Sequence, residues 1–99
     1  MSDTPDADRE AFERDALELR ALFVASREAD LDRLGVAIAA GDFDAARAIG
    51  HVFKGSGATF GFPEVSRLGL ALEEAAARRD AAAASRLARE LAAALASPP

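Results

Sequence analysis

A chain of 99 residues has room for one domain around one core, and it falls well short of the roughly 200 residues that a nucleotide-binding fold or a (β/α) barrel requires. Half of it is apolar (51%), enough for a compact core, and its 12 basic and 17 acidic residues leave a net charge of −5 that argues against nucleic acid as a partner. Proteins and small molecules are the partners left open.

No alternation of apolar and polar residues and no Asn-Gly or Asp-Gly turn marks a strand, and alanine is abundant, so the chain reads as all-α. Residues 1–7 read as a flexible start. Phe12, Ala16, Leu19 and Phe23 then recur at helical spacing, which predicts a first helix from about Asp8 to Val24. Ser26 can cap a second helix, with Glu28 and Asp30 in its first turn, Leu31, Leu34 and Ile38 on one face, and Gly41 at its end. Asp42 is suited to cap a third helix over about Phe43 to Phe60, closed by the turn at Gly61 and Pro63. Pro63 opens a fourth, with Glu64 near its positive end, Val65, Leu68, Leu72 and Ala76 toward the core, and Arg78-Arg79 at its close. Asp80 caps a last helix bearing Ala84, Leu87, Leu91 and Leu95, which ends at Ser97-Pro98-Pro99. Connections this short force consecutive helices to reverse. The expected architecture is therefore an all-α, antiparallel up-down-up-down four-helix bundle over residues 8–96, with an additional N-terminal helix packed across one end and a flexible tail at 97–99.

The third helix breaks the rules of its own element. Glycine inside a helix costs about 0.5–1 kcal/mol relative to alanine, yet Gly50, Gly55 and Gly57 fall within two turns. On a wheel advancing about 100° per residue, Ala46, Ile49, Gly50, Gly57 and Phe60 lie within roughly 60° of Phe53 and form a buried stripe. Gly50 and Gly57 then read as packing glycines that admit a neighbouring helix. His51 lies about 160° from Phe53, so the sole histidine points away from the core. Lys54 and Gly55 share its face, Ala48 and Ala58 flank it, and Arg47 stands one turn earlier, so its surroundings are small and carry cations. An exposed imidazole is partly uncharged at neutral pH and offers a nucleophilic ring nitrogen. A phosphoryl group placed there would bring about two negative charges for Lys54 to offset.

The run His51-x-x-Lys54-Gly55-Ser56 followed by Gly61, with Leu68, Leu72 and Glu73 beyond, resembles the histidine-containing phosphotransfer (HPt) domain of multistep two-component signalling. The resemblance spans roughly Leu31 to Leu91 and implies a four-helix bundle with an extra N-terminal helix. It implies a phosphoryl relay in which His51 is the acceptor, on the ring nitrogen farther from the backbone, taking the group from one receiver aspartate and passing it to another. Lys54 matches the phosphate-neutralising lysine and Gly55 the glycine that leaves access. Glu73 matches a position that can hydrogen-bond the other imidazole nitrogen; the alternative is a solvated neighbour of Leu72. Ser56 matches a common family position, but a bond to its own backbone or core packing is an equal reading. Two departures, Gly50 where alanine is common and Phe53 where an aliphatic residue is usual, lie on the buried side and form a large-small pair. Phe62 would give a partner an apolar contact if exposed, together with Arg47, Ala48 and Ala58; the alternative is a role at the entry to the fourth helix.

No phosphate-binding loop and no acidic cluster near His51 provides nucleotide or metal binding, so no cofactor of its own is expected, and Mg²⁺ is expected in the partner receiver domain. The expected partners are receiver domains of response regulators, with a hybrid histidine kinase as a further candidate. A monomer is expected, acting as a phosphoryl carrier and not as an enzyme in its own right. Two other functions fit the same residues: a docking or inhibitory module independent of phosphorylation, and the phospho-accepting domain of a chemotaxis-type histidine kinase. Absence of cysteine fits a reducing compartment, Met1 to Asp6 lacks the basic and apolar regions of a signal peptide, and no apolar run approaches 20 residues. A cytoplasmic protein with no membrane span is expected.

Overall fold

Four helices carry almost all of residues 5–97, the part of the chain that the computed structural model describes: α1 (Pro5–Ala40), α2 (Phe43–Thr59), α3 (Pro63–Ala77) and α4 (Ala81–Ala96). Residues 1–4 and 98–99, parts of the two termini read as flexible, lie outside the described residues, while residues 5–7 are the helical start of α1.

The first two helices of the sequence reading are one. Ser26 does not cap a second helix but sits exposed inside the 36-residue α1. The reason lies in the phase of the face that meets the bundle. Phe23, Arg27, Asp30, Leu34 and Ala37 follow one another at steps of four and three residues, so they stay on one side of a continuous helix across Ser26, and none of them is exposed. Ala25, Glu28 and Ala29 are good helix formers, and no glycine or proline interrupts them. The expected additional helix packed across one end is therefore the N-terminal half of α1, running straight on from the bundle. At about 1.5 Å per residue α1 is about 54 Å long against about 23–26 Å for the others, and the molecule measures 62 × 19 × 19 Å. Phe12 and Leu19, expected beside Phe23 against the bundle, are exposed, whereas Phe23 is buried.

The other boundaries follow local chemistry. Asp42 and Asp80 cap α2 and α4, each carboxylate accepting a backbone N–H of the first turn, from Ala45 at 3.1 Å and from Ala83 at 3.0 Å. Pro63 opens α3, where its missing N–H costs nothing. Gly41 and Gly61 take left-handed backbone (φ +71° and +82°) to turn the chain after α1 and α2. Arg79 takes the same conformation at φ +58° after α3, with its guanidinium 5.1 Å from the centre of the Phe43 ring.

The helices close a ring of contacts, α1 to α2, α2 to α3, α3 to α4 and α4 back to α1, around Phe53, Leu34, Leu72, Leu91 and Val65. All eight core positions expected on the last two helices are buried. The closest pair is α2 and α3, which meet through glycine. A Cβ on Gly50 would lie 2.7 Å from the Glu73 backbone nitrogen, and one on Gly57 would lie 2.6 Å from that of Ser66. From the other side, a Cβ on Gly69 would lie 2.4 Å from the Lys54 nitrogen and 2.8 Å from Phe53 Cβ. Residues 50, 54 and 57 thus meet residues 73, 69 and 66, one series rising as the other falls, so these two helices are antiparallel and almost touch backbone to backbone. The bulk of Phe53 is accommodated partly by Gly69, which sequence reading had not singled out.

Candidate functional site

The close approach of α2 and α3 places Glu73 beside the exposed face of α2. His51 is two-thirds exposed (66% of its side chain), and its Nδ1 lies 3.1 Å from Oε2 of Glu73. Lys54, one turn along α2, places Nζ 3.1 Å from the other carboxylate oxygen of the same residue. Glu73 is far less exposed than either (19%), so one carboxylate at the foot of the site is shared by a ring and an ammonium group above it. A carboxylate can only accept, so the ring nitrogen facing it carries the hydrogen; Nε2 then presents its lone pair toward solvent. The hydrogen bond from Lys54, reinforced by the one from His51, holds the Glu73 carboxyl below the usual carboxylate range against the opposing effect of desolvation.

The surroundings of the ring are open. Nothing lies within 4 Å of where a Gly55 Cβ would stand, and Arg47, Ala48, Gly55 and Ala58 are exposed. Phe62, expected to offer a partner an apolar contact if exposed, is not exposed. It is buried (5% exposed), with its ring 5.1 Å from that of Phe23, because it enters α3 facing the core at the point where α1 passes the α2–α3 turn. The contact expected of an exposed Phe62 is therefore corrected: it is a core residue at the entry to α3, the other role the sequence left open for it. Phe23 also stacks on Phe60 at 4.9 Å, so this aromatic group joins three segments at the end of the bundle from which α1 emerges. Ser56 turns away from the site: its hydroxyl donates to the Val52 carbonyl at 2.7 Å and accepts from Arg27 of α1 at 3.0 Å. The backbone bond is one of the two roles that the sequence left open for it.

Two supports were not read from the sequence. Ser66 of α3 donates to the Lys54 carbonyl at 2.6 Å, tying α3 to α2 at the turn that carries the lysine. Arg27 lies beneath the same helix, about 6 Å from the centres of the Phe23 and Phe53 rings and 3.0 Å from the buried Asp30 carboxylate, which also pairs with Arg33. Burial, and then the charge of Arg33, pull the Arg27 guanidinium below its ordinary pKa. The signal for this group was present as Arg27, Asp30 and Arg33 at helical spacing, but only a buried face gives that pattern meaning. Among the described residues no group of three or more His, Cys, Asp or Glu side chains is placed to hold a metal ion.

An exposed imidazole, a lysine one turn on and a carboxylate behind the ring thus share one face of a helical bundle. The model of the Hpt domain family matches residues 18–97, four-fifths of the chain, and the chain belongs to that family. Hpt domains are phosphocarrier modules of two-component phosphorelays, where they interact with receiver domains. No curated protein and no solved structure matches the chain. Among the described residues no helix is long and apolar enough to cross a membrane.

Proposed function

We propose that this protein is a cytoplasmic histidine phosphotransfer carrier: His51 takes a phosphoryl group from the aspartyl phosphate of one receiver domain and hands it to the aspartate of another. A hybrid histidine kinase is a natural source of the first. The observation that carries the reading is the pair of contacts on Glu73, which leaves Nε2 of an exposed ring open while a lysine waits beside it. In the loading step the Nε2 lone pair attacks phosphorus, the N–P bond forms as the P–O bond to the receiver aspartate breaks, and the carboxylate leaves on the receiver. The Nδ1 hydrogen stays shared with Glu73, so no proton has to depart, and the positive charge that grows on the ring faces a carboxylate. Lys54 can turn from Glu73 toward the new phosphoryl oxygens. The receiver contributes the acidic pocket and Mg²⁺, the carrier contributes position and charge, and the chain is no enzyme in its own right. Arg47, Ala48, Gly55 and Ala58 are the surface on which a receiver docks. Connections of two or three residues between successive helices support an up-down-up-down order that keeps this surface on one side of the bundle.

Incubation with a phosphorylated receiver and Mg²⁺ is expected to label the protein once, with a bond destroyed by acid and spared by alkali. His51→Gln is expected to abolish labelling; unchanged labelling overturns the assignment, and receiver binding without labelling in the unaltered protein makes it a docking module instead.

A further inference from the structure

The N-terminal half of α1 is an arm that the carrier function does not use. The family match begins at residue 18, so most of the arm precedes it, yet the arm is helical from Pro5 and exposes large apolar side chains, with Leu17 (62% exposed) on the side away from Phe12 and Leu19. Phe12, Leu19 and Leu22 are 73%, 54% and 65% exposed. Phe12, Ala16 and Leu19 continue the stripe that Phe23 begins in the core, and the stripe simply runs off the end of the bundle. Beside it along one flank stand Asp6, Arg9, Glu13 and Arg20, alternating in sign.

That flank is complementary to its own reverse. Laid antiparallel against a second arm, with the two Phe12 side chains near the twofold axis, Asp6 comes beside Arg20 of the second copy and Arg9 beside its Glu13, each pair occurring twice; these pairs replace the Asp6–Arg9 pair that each arm makes alone at 3.0 Å, and the two Glu13 side chains, neighbours at the axis, are each flanked by an Arg9. The same register sets each arm tip against the notch at the foot of the other arm, a hollow of about 390 Å³ lined by Ala16, Leu19, Arg20, Phe60 and Gly61 among others. We propose that two copies of this chain associate through their α1 arms as an antiparallel helix pair, in place of the monomer expected from sequence. At about 150–200 Å² for each large apolar side chain, the exposed fractions of Phe12, Leu19 and Leu22 amount to roughly 600–800 Å² over two arms. That is below a standard interface, and Asp8, Asp15 and Glu18 on the other flank repel, so the dimer is weak, in the micromolar range. His51 lies nine residues before Phe60, about 13 Å from the arm along α2, and stays open in the dimer.

Sedimentation of the full chain from about 1 to 500 μM tests this. A monomer–dimer equilibrium is expected, weakened at least about tenfold by Phe12→Ser, whose site lies beyond the bundle and leaves the fold unchanged by circular dichroism. Arg20→Asp is expected to weaken it by about the same factor, and the double variant Asp6→Arg with Arg20→Asp to recover most of the loss. A monomer throughout the range, a dimer indifferent to Phe12→Ser, or no recovery in the double variant overturns the proposal. His51 labelling is expected to be equal in all three variants, which keeps this outcome separate from that of the carrier function.

Discussion

At the scale of single residues, the site depends on what one carboxylate does with its two oxygens. Glu73 is held below the ordinary carboxylate range by Lys54 and His51, so its contribution to stability is present above the unfolded-state value and fades as the pH falls through the lower folded value. Glu73→Gln is therefore expected to flatten the acid limb of the stability–pH profile below about pH 4.5, measured by chemical denaturation. It is also expected to slow phosphotransfer to His51 by about tenfold or more, since the ring loses its orienting acceptor and the nascent charge its counter-ion. A rate within twofold of the unaltered protein would show that Glu73 plays no part in the chemistry. The glycines on either side of His51 play opposite roles. Gly55 has open space around it, so Gly55→Ala is expected to raise stability by about 0.5–1 kcal/mol through helix propensity alone. Gly50 abuts the backbone of Glu73, so Gly50→Ala is expected to cost about 1–3 kcal/mol in denaturant unfolding and to slow transfer by moving the carboxylate.

At the scale of elements, continuity of α1 and the approach of α2 to α3 decide the architecture. Ser26 distinguishes one helix from two. In an N-cap, Ser→Ala costs about 0.5–2 kcal/mol; inside an exposed helix it helps by a few tenths, and Ser26→Ala is expected to be neutral to stabilising. Loss of a kcal/mol or more in thermal or denaturant unfolding would divide α1 at that point. On the paired helices, Gly69→Ala is expected to destabilise more than Gly50→Ala, because its added Cβ meets the Lys54 nitrogen at 2.4 Å, with rigid backbone on both sides. The sequence marked Gly50 and Gly57 as packing residues since three glycines crowd one helix. Gly69 stood alone in its helix, and nothing local separates a lone buried glycine from an indifferent one.

At the scale of the molecule, the arm makes the chain longer than its mass suggests. A compact domain of this size has a radius of gyration of about 13 Å, whereas the protein has 16.4 Å. Small-angle scattering at low concentration is expected to return the larger value; a value near 13 Å would mean that the arm folds back across the bundle end. Exposed side chains dominate residues 6–15 of the arm, so deleting residues 1–11 is expected to change bundle stability by less than about 1 kcal/mol.

Helix content, the positions of three turns, the buried faces of the last three helices and the exposure of His51 were all legible in the chain itself. Each is set by local chemistry: a capping carboxylate, a proline that opens a helix, a glycine that can turn, and a repeat of apolar residues near 3.6. Three other matters were decided only in three dimensions. Whether Ser26 divides a helix depends on the phase of a face that is buried only once α2 and α4 cover it. The side to which Phe62 turns depends on where Phe23 arrives. The proximity of Glu73 to His51, 22 residues earlier, depends on three glycines from two helices allowing backbones to meet. Contacts between distant segments carry no periodicity along the chain, and only packing selects among them.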